Sequence, residues 1–494
     1  MTSTLLKEAQ NYELDEECRI AEKYRPVFHL SARVGWMNDP NGFSQYGGKT
    51  HLFYQYFPYS KKWGPMHWAH ATTNDFLKWE YQPAALAPDT RPDSDGCFSG
   101  SAITLDDGRH MLVYTGVVRV HNTDQDIFTQ TQCIAFGDGV EYTKYEGNPV
   151  IDETMIPEGL SKYDFRDPKI FREKDGKFGL VAVACVGWFD KKGRVLYFRS
   201  DDGMKWRFVN TVIDNDDGSL GTMWECPDLF ELDGTDVLIL SPQDVLQDDK
   251  YFSGNIVVCM LGKLDEDCKF HKEAEQLVDY GMDFYATQTM LTEDGRRIMT
   301  AWMQNWDSIV HTHLHFRWIG QMVLPRELHV KDGKLLQQPV REIETIRKNK
   351  IEYTDLRING KTELEGIKGR TVDLTITIKP NDTLRKFEIR LAEKGVLHTD
   401  IAYKPKEHSL KFDRSFSGTR RAIVNSRKWK SAPAEDGSMT LRIIADRYSI
   451  ELFVNDGEQT ASNVIYTDLE ADGISFTADG EALVDITFYE LSFE

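Results

Sequence analysis

At 494 residues the chain is too long for one ordinary hydrophobic core, so two or three domains are expected. Its composition, 40% hydrophobic and 28% charged, is that of a folded protein, and a formal net charge of -20 argues against nucleic acid or an anionic membrane surface as partner. A small neutral ligand fits this charge better, and a 12% aromatic content with 11 Trp suits either a large β-rich core or ring faces that stack on sugars.

The seven Cys (18, 97, 133, 185, 226, 259 and 268) are scattered and form no CxxC pair, which indicates neither a disulfide framework nor a zinc site and points to a reducing compartment. Residues 1–24 have helix-forming composition and no apolar run long enough for a signal peptide, and no later segment reads as a membrane span. A cytoplasmic protein, with no membrane partner, is the expectation.

From residue 25 onward almost everything reads as strand. Short apolar or alternating runs such as THLFYQYF, HMLVYTG, FGLVAVACVG, DVLILS and RIMTAWM are separated by turns. Asp-Gly pairs at 107–108, 175–176, 202–203, 233–234, 294–295 and 332–333 signal hairpins. Two segments echo one another, TNDFLKW at 73–79 and SDDGMKW at 200–206, each after a strand-like run. A second series, Asp39, Phe98, Asp167, Glu225 and Asp283, recurs at separations of 59, 69, 58 and 58 residues. Five units of roughly sixty residues predict an all-β fold, a five-bladed β-propeller over 25–337 whose inner strands converge on one funnel. A polar connector follows at 338–350, and 351–494 reads as a β-sandwich with an exposed edge that could pair between chains into a homo-oligomer.

Three segments supply carboxylates for acid–base or nucleophilic chemistry. In WMNDPNG, Asp39 is held by Pro40 and flanked by the amide of Asn38; a surface Asx turn is the alternative. In FRDP, Arg166 adjoins Asp167 and would keep it ionised, suited to holding sugar hydroxyls; a plain surface ion pair is the alternative. In WECPD, Glu225 between Trp224 and Cys226 has an apolar setting that would keep it protonated as a general acid, or it is a strand-edge Glu facing water.

Together WMNDPNG, FRDP and WECPD, in this order, with FYQYFP, WGPMHWAHA, FSGSA, DFYATQT, AWM and LPREL, resemble glycoside hydrolase family 32, the invertase and fructan hydrolase family. The resemblance is dense over about 24–330 and looser beyond. It implies a propeller followed by a sandwich, with Asp39 as nucleophile, Glu225 as general acid/base and Asp167 as transition-state stabiliser. It also implies substrate-binding roles for Trp36, Asn38, Gln55, Trp63, Phe98, Ser99, Arg166, Tyr285 and Trp302, although Phe98 or Trp302 taken singly also fits a core. The activity implied is retaining hydrolysis of terminal β-D-fructofuranosyl units from sucrose, sucrose 6-phosphate or short fructo-oligosaccharides, without metal or organic cofactor. Fructosyl transfer by the same carboxylates and a catalytically silent sugar-binding propeller are the alternatives.

The stretch HTHLHF sets His311, His313 and His315 at alternating positions of a strand, a pattern open to zinc or nickel but more economically a polar strand face near the cleft. This region lacks the Pro- and Tyr-containing loop usual in sucrose hydrolases. Arg317 or these histidines would then border an outer subsite, meeting a phosphate or a second sugar.

Overall fold

The computed structural model describes residues 3–120, 127–187, 191–308, 316–418 and 424–494. Thr4–Glu17 forms a helix whose first turn is capped by the Ser3 hydroxyl accepting from the Leu6 amide at 3.1 Å. Among the described residues no helix is long and apolar enough to cross a membrane.

Five antiparallel sheets of about four strands then follow in sequence, each built outward from an inner strand. The inner strands are Gly35–Tyr46, Gly96–Thr104, Arg166–Arg172, Trp224–Leu232 and Tyr285–Leu291. The series predicted from sequence marks these five: Asp39, Phe98, Asp167 and Glu225 lie in the first four, and Asp283 just precedes the fifth. Five such sheets around one axis make a five-bladed propeller. The Asp-Gly signals at 107–108, 175–176, 233–234 and 294–295 join inner strands to second strands, and every one of these glycines has positive φ. The two echoed segments form matching turns between third and outer strands. The Asp75 side chain accepts from the Leu77 and Lys78 amides, and Asp202 from those of Met204 and Lys205.

Burial explains the differing strand patterns. The second strand of the third blade, Phe178–Val186, is buried on both faces because neighbouring blades pack against it, hence its continuous apolar run. The outer strand Arg207–Asp214 has one residue fully buried and reads as mixed.

The ring is closed by a two-residue strand, Trp318–Ile319, which pairs in parallel with Gly35 and Trp36 of the first blade. Gly320 follows at φ +95°, and a Cβ there would lie 2.4 Å from the Met37 carbonyl oxygen, so only glycine lets the closing strand approach.

Residues Arg347–Leu491 form the C-terminal β-sandwich. Its last strand, Gly473–Leu491, pairs with Lys386–Lys394 through its first half and with Val372–Ile378 through its second, linking both layers around a core that includes Leu374, Phe387, Phe412, Ile443 and Phe476. The edge strand Ser426–Lys430 presents exposed Lys428 and Lys430, charges that oppose addition of a further strand.

A buried ionic network joins sandwich to propeller. Arg326, fully buried, donates to Asp279 at 3.0 Å and Glu451 at 2.7 Å. Glu451 and Asp446 each approach one ring nitrogen of buried His29 at 2.8 Å. The geometry satisfies charges that would otherwise be costly to desolvate.

Candidate active site

All five inner strands carry an irregularity at the same height. The ladder skips between Met37 and Pro40, Phe98 and Gly100, Arg166 and Lys169, Glu225 and Asp228, and Tyr285 and Gln288. A bulge re-aims one side chain out of the pleat, and on a propeller it aims it into the axial funnel. Three of these bulges contain proline, Pro40, Pro168 and Pro227, tolerated because no ladder hydrogen bond is needed there. Asp167, Cys226 and Ala286 adopt positive φ at φ 59°, 48° and 55°. The Asp-Pro and Cys-Pro pairs of the three motifs are therefore the sequence trace of a fivefold structural repeat.

The cleft so formed has a volume of about 720 Å³, within the range of small-molecule sites. Asn38, Asp39, Gln55, Trp63, Phe98, Ser99, Arg166, Asp167 and Glu225 line it. Trp36, Tyr285 and Trp302 lie beneath that lining. Trp36 Nε1 donates to Asn38 Oδ1 at 2.7 Å, Tyr285 Oη donates to Glu225 Oε2 at 2.8 Å, and Trp302 packs 6.0 Å from Trp36, centroid to centroid. They support cleft residues from below.

Asp39 accepts from Ser99 Oγ at 2.6 Å and from Asn38 Nδ2 at 3.0 Å. Burial, followed by repulsion from Glu225, raises its carboxyl to about 6. Asp167 accepts from the Cys226 amide at 3.0 Å, and the Cys226 sulfur sits 3.7 Å from Asp39 and 3.8 Å from Asp167. Two carboxylates thus flank one thiol.

Two local expectations are corrected. Arg166 was expected to hold its neighbour Asp167 ionised; burial instead dominates and raises Asp167 to about 7. The Arg166 guanidinium is 3.8 Å from Asp167 and gives its short hydrogen bond, 2.9 Å, to Glu225 on the next blade. Glu225 was expected in an apolar setting. Trp224 and Cys226 do sink into apolar clusters, but strand alternation turns Glu225 the other way, toward Arg166, Gln243 at 2.6 Å and Tyr285.

Sequence reading missed several lining residues: Ile127, Phe128, Gln130, Tyr163, Asp164, Lys191, Gln243 and Trp306. Gln243 follows the buried run VLILSP and Asp164 sits in DFRDP, polar signals beside recognised motifs. Trp306, 37% exposed, faces the cleft as does Trp63 at 40%, the exposure expected of rings that stack on a ligand rather than fill a core. Arg317 lies outside this cleft. It pairs with Glu16 of the N-terminal helix and borders a separate groove with Tyr59 and Lys61, so it does not face the carboxylates. His311, His313 and His315 lie outside the described residues.

Carboxylates gathered with exposed aromatic rings in the funnel of a five-bladed propeller define an enzyme class, the propeller glycosidases. The comparisons with known proteins name the family. Residues 29–339 match the N-terminal domain of glycosyl hydrolases family 32 and residues 342–490 match its C-terminal domain. The chain is 36% identical over 489 residues to a raffinose invertase of Escherichia coli, covering 96% of each chain. It is 35% identical over 488 residues to a sucrose-6-phosphate hydrolase of Escherichia coli, covering 97% of each. The solved GH32 beta-fructofuranosidase of Bombyx mori superposes with a TM-score of 0.84 at 34% identity, over 99% of both chains. A variant of that enzyme has been solved in complex with sucrose and superposes with a TM-score of 0.83. The chain belongs to glycosyl hydrolase family 32.

Proposed function

We propose that the protein is a β-fructofuranosidase that hydrolyses sucrose and related small β-fructofuranosides with retention of configuration. The observation that carries this reading is the placement of Asp39, Asp167 and Glu225 at equivalent bulges of three inner strands, around one cleft. Asp39, oriented by Ser99 and Asn38, attacks the anomeric carbon of the terminal fructosyl unit. Glu225 gives its proton to the bridging oxygen, and the leaving sugar departs as an alcohol. Glu225, now a carboxylate, takes a proton from water, whose oxygen attacks the fructosyl–Asp39 ester and frees fructose. Asp167 holds ring hydroxyls through the transition state, and Trp63, Phe98 and Trp306 supply apolar faces.

The named relatives are hydrolases and invertases, which supports water over a sugar as acceptor. Seven free cysteines support residence in a reducing compartment, consistent with a cytoplasmic enzyme. Fructose release from sucrose tests the reading. The wild-type chain releases fructose and Asp39→Ala, with unchanged circular dichroism, loses several orders of magnitude in kcat. Near-normal turnover in that folded variant, or no fructose from any β-fructoside with the wild type, overturns it.

A further inference from the structure

The cleft contains an ion pair that the hydrolysis just described does not use. Lys191 Nζ lies 2.7 Å from Asp164 Oδ1, and the same oxygen lies 3.8 Å from Arg166 Nη1. Asp164 is 6% exposed and also accepts from Ser161 Oγ at 3.1 Å, so its carboxylate is fixed in place. Burial alone would raise this carboxyl, but Arg166 and Lys191 hold it below the usual range. It is an anion at neutral pH. Lys191, whose side chain is 33% exposed, is the outer member of the chain Lys191–Asp164–Arg166–Glu225.

The position of this chain follows from the chemistry. A general acid touches the leaving oxygen, so groups tied to Glu225 within the cleft lie close to the leaving sugar. Arg166, Gln243 and Tyr285 are its direct hydrogen-bond partners, and Asp164 with Lys191 lies beyond Arg166 in the lining of the same cleft.

The charge balance then discriminates among leaving groups. Among the described lining residues four are carboxylic, Asp39, Asp164, Asp167 and Glu225, and two are cationic, Arg166 and Lys191. Both cations are already matched, Arg166 by Glu225 and Lys191 by Asp164. A phosphate brings about 1.5 to 2 negative charges and needs unmatched donors. Here it meets a buried carboxylate that already engages Lys191 and lies 3.8 Å from Arg166, a repulsive element of the kind that creates specificity. A neutral sugar meets the same groups as hydrogen-bond partners and is not repelled.

We propose that Asp164, by holding Lys191 and Arg166 at once, is a specificity-determining residue that selects an unphosphorylated leaving sugar. The inference rests on the β-fructofuranosidase reading and names the substrate class of the same site.

The test is kcat/KM for sucrose and for sucrose 6-phosphate, measured side by side on one preparation, so that the ratio is independent of the folded fraction. Wild type prefers sucrose by tenfold or more. Asp164→Asn, which frees Lys191 and removes the second anion beside Arg166, shifts the ratio toward the phosphorylated sugar by tenfold or more, and adding Lys191→Met to it reverses most of that shift. A wild-type preference for sucrose 6-phosphate, or an unchanged ratio in Asp164→Asn, overturns the inference while leaving the hydrolase reading intact. Failure to cleave either sugar or any other β-fructoside overturns that reading, and the inference falls with it.

Discussion

Arg166 Nη2 donates to Glu225 Oε1 at 2.9 Å across two blades, although Asp167 is its neighbour in the chain. A planar guanidinium in this position orients the carboxyl that must give and later regain a proton. Arg166→Gln therefore lowers kcat/KM by about 10²-fold, the scale of losing one preorganised charged contact. Steady-state kinetics beside an unchanged circular dichroism spectrum check this.

The acid limb of the pH profile follows from burial. Asp39 attacks only when ionised, and its carboxyl is raised to about 6 while Asp167 is raised to about 7. The plot of kcat/KM against pH thus begins to fall between about pH 7 and 6, well above the ordinary carboxylate range. Ser99→Ala removes a hydrogen bond that favours the Asp39 anion and moves this limb to higher pH. A limb near pH 4 would contradict the assignment of Asp39.

Stability runs against activity at the same residue. Unfolded, Asp39 ionises near 3.8; folded, it keeps its proton to about 6. Between those values the folded state binds more protons, so this group's contribution to stability falls as pH rises through that window. Above about 6 the buried anion costs up to about 3 kcal/mol. Asp39→Asn accordingly raises the urea midpoint at pH 7.5 and gives no gain near pH 3.5, which paired denaturation curves would reveal.

The interface network carries the opposite sign. Burial alone would lower the His29 imidazole, but the hydrogen bonds it donates to Asp446 and Glu451 raise it to about 9. Its stabilisation is complete below the unfolded value of 6.5 and is lost as pH rises through about 9. His29→Gln should lower the thermal midpoint more at pH 6 than at pH 9.5.

Arg326→Met leaves Asp279 and Glu451 buried with one partner fewer, a loss of about 3–5 kcal/mol. Differential scanning calorimetry of the full chain measures it. A midpoint within one degree of wild type would mean that the network adds nothing.

Much of this architecture was legible because it repeats. The spacing of Asp39, Phe98, Asp167, Glu225 and Asp283 reported the inner strands because each blade spends a similar chain length going out and returning. Asp-Gly pairs reported the hairpins because their backbone requires positive φ. The prolines after Asp39 and Asp167 lie at bulges, where a missing amide hydrogen costs nothing, but the local pattern read as a turn at Asp39 and named no bulge. Trp306, Gln243 and Lys191 were not legible: no local pattern distinguishes a Trp that fills a core from one that faces a cleft.

The sequence by itself determined the strand pattern, the five-unit repeat and the three carboxylates, since these depend on local backbone preference and on residue type. Only the tertiary structure decided which charges meet. Strand alternation turned Glu225 away from its apolar neighbours, and the approach of adjacent blades gave Arg166 to Glu225 and Lys191 to Asp164. Burial, which no chain neighbour reports, set the protonation of Asp39 and Asp167, because the cost of a charge depends on the groups that exclude water from it.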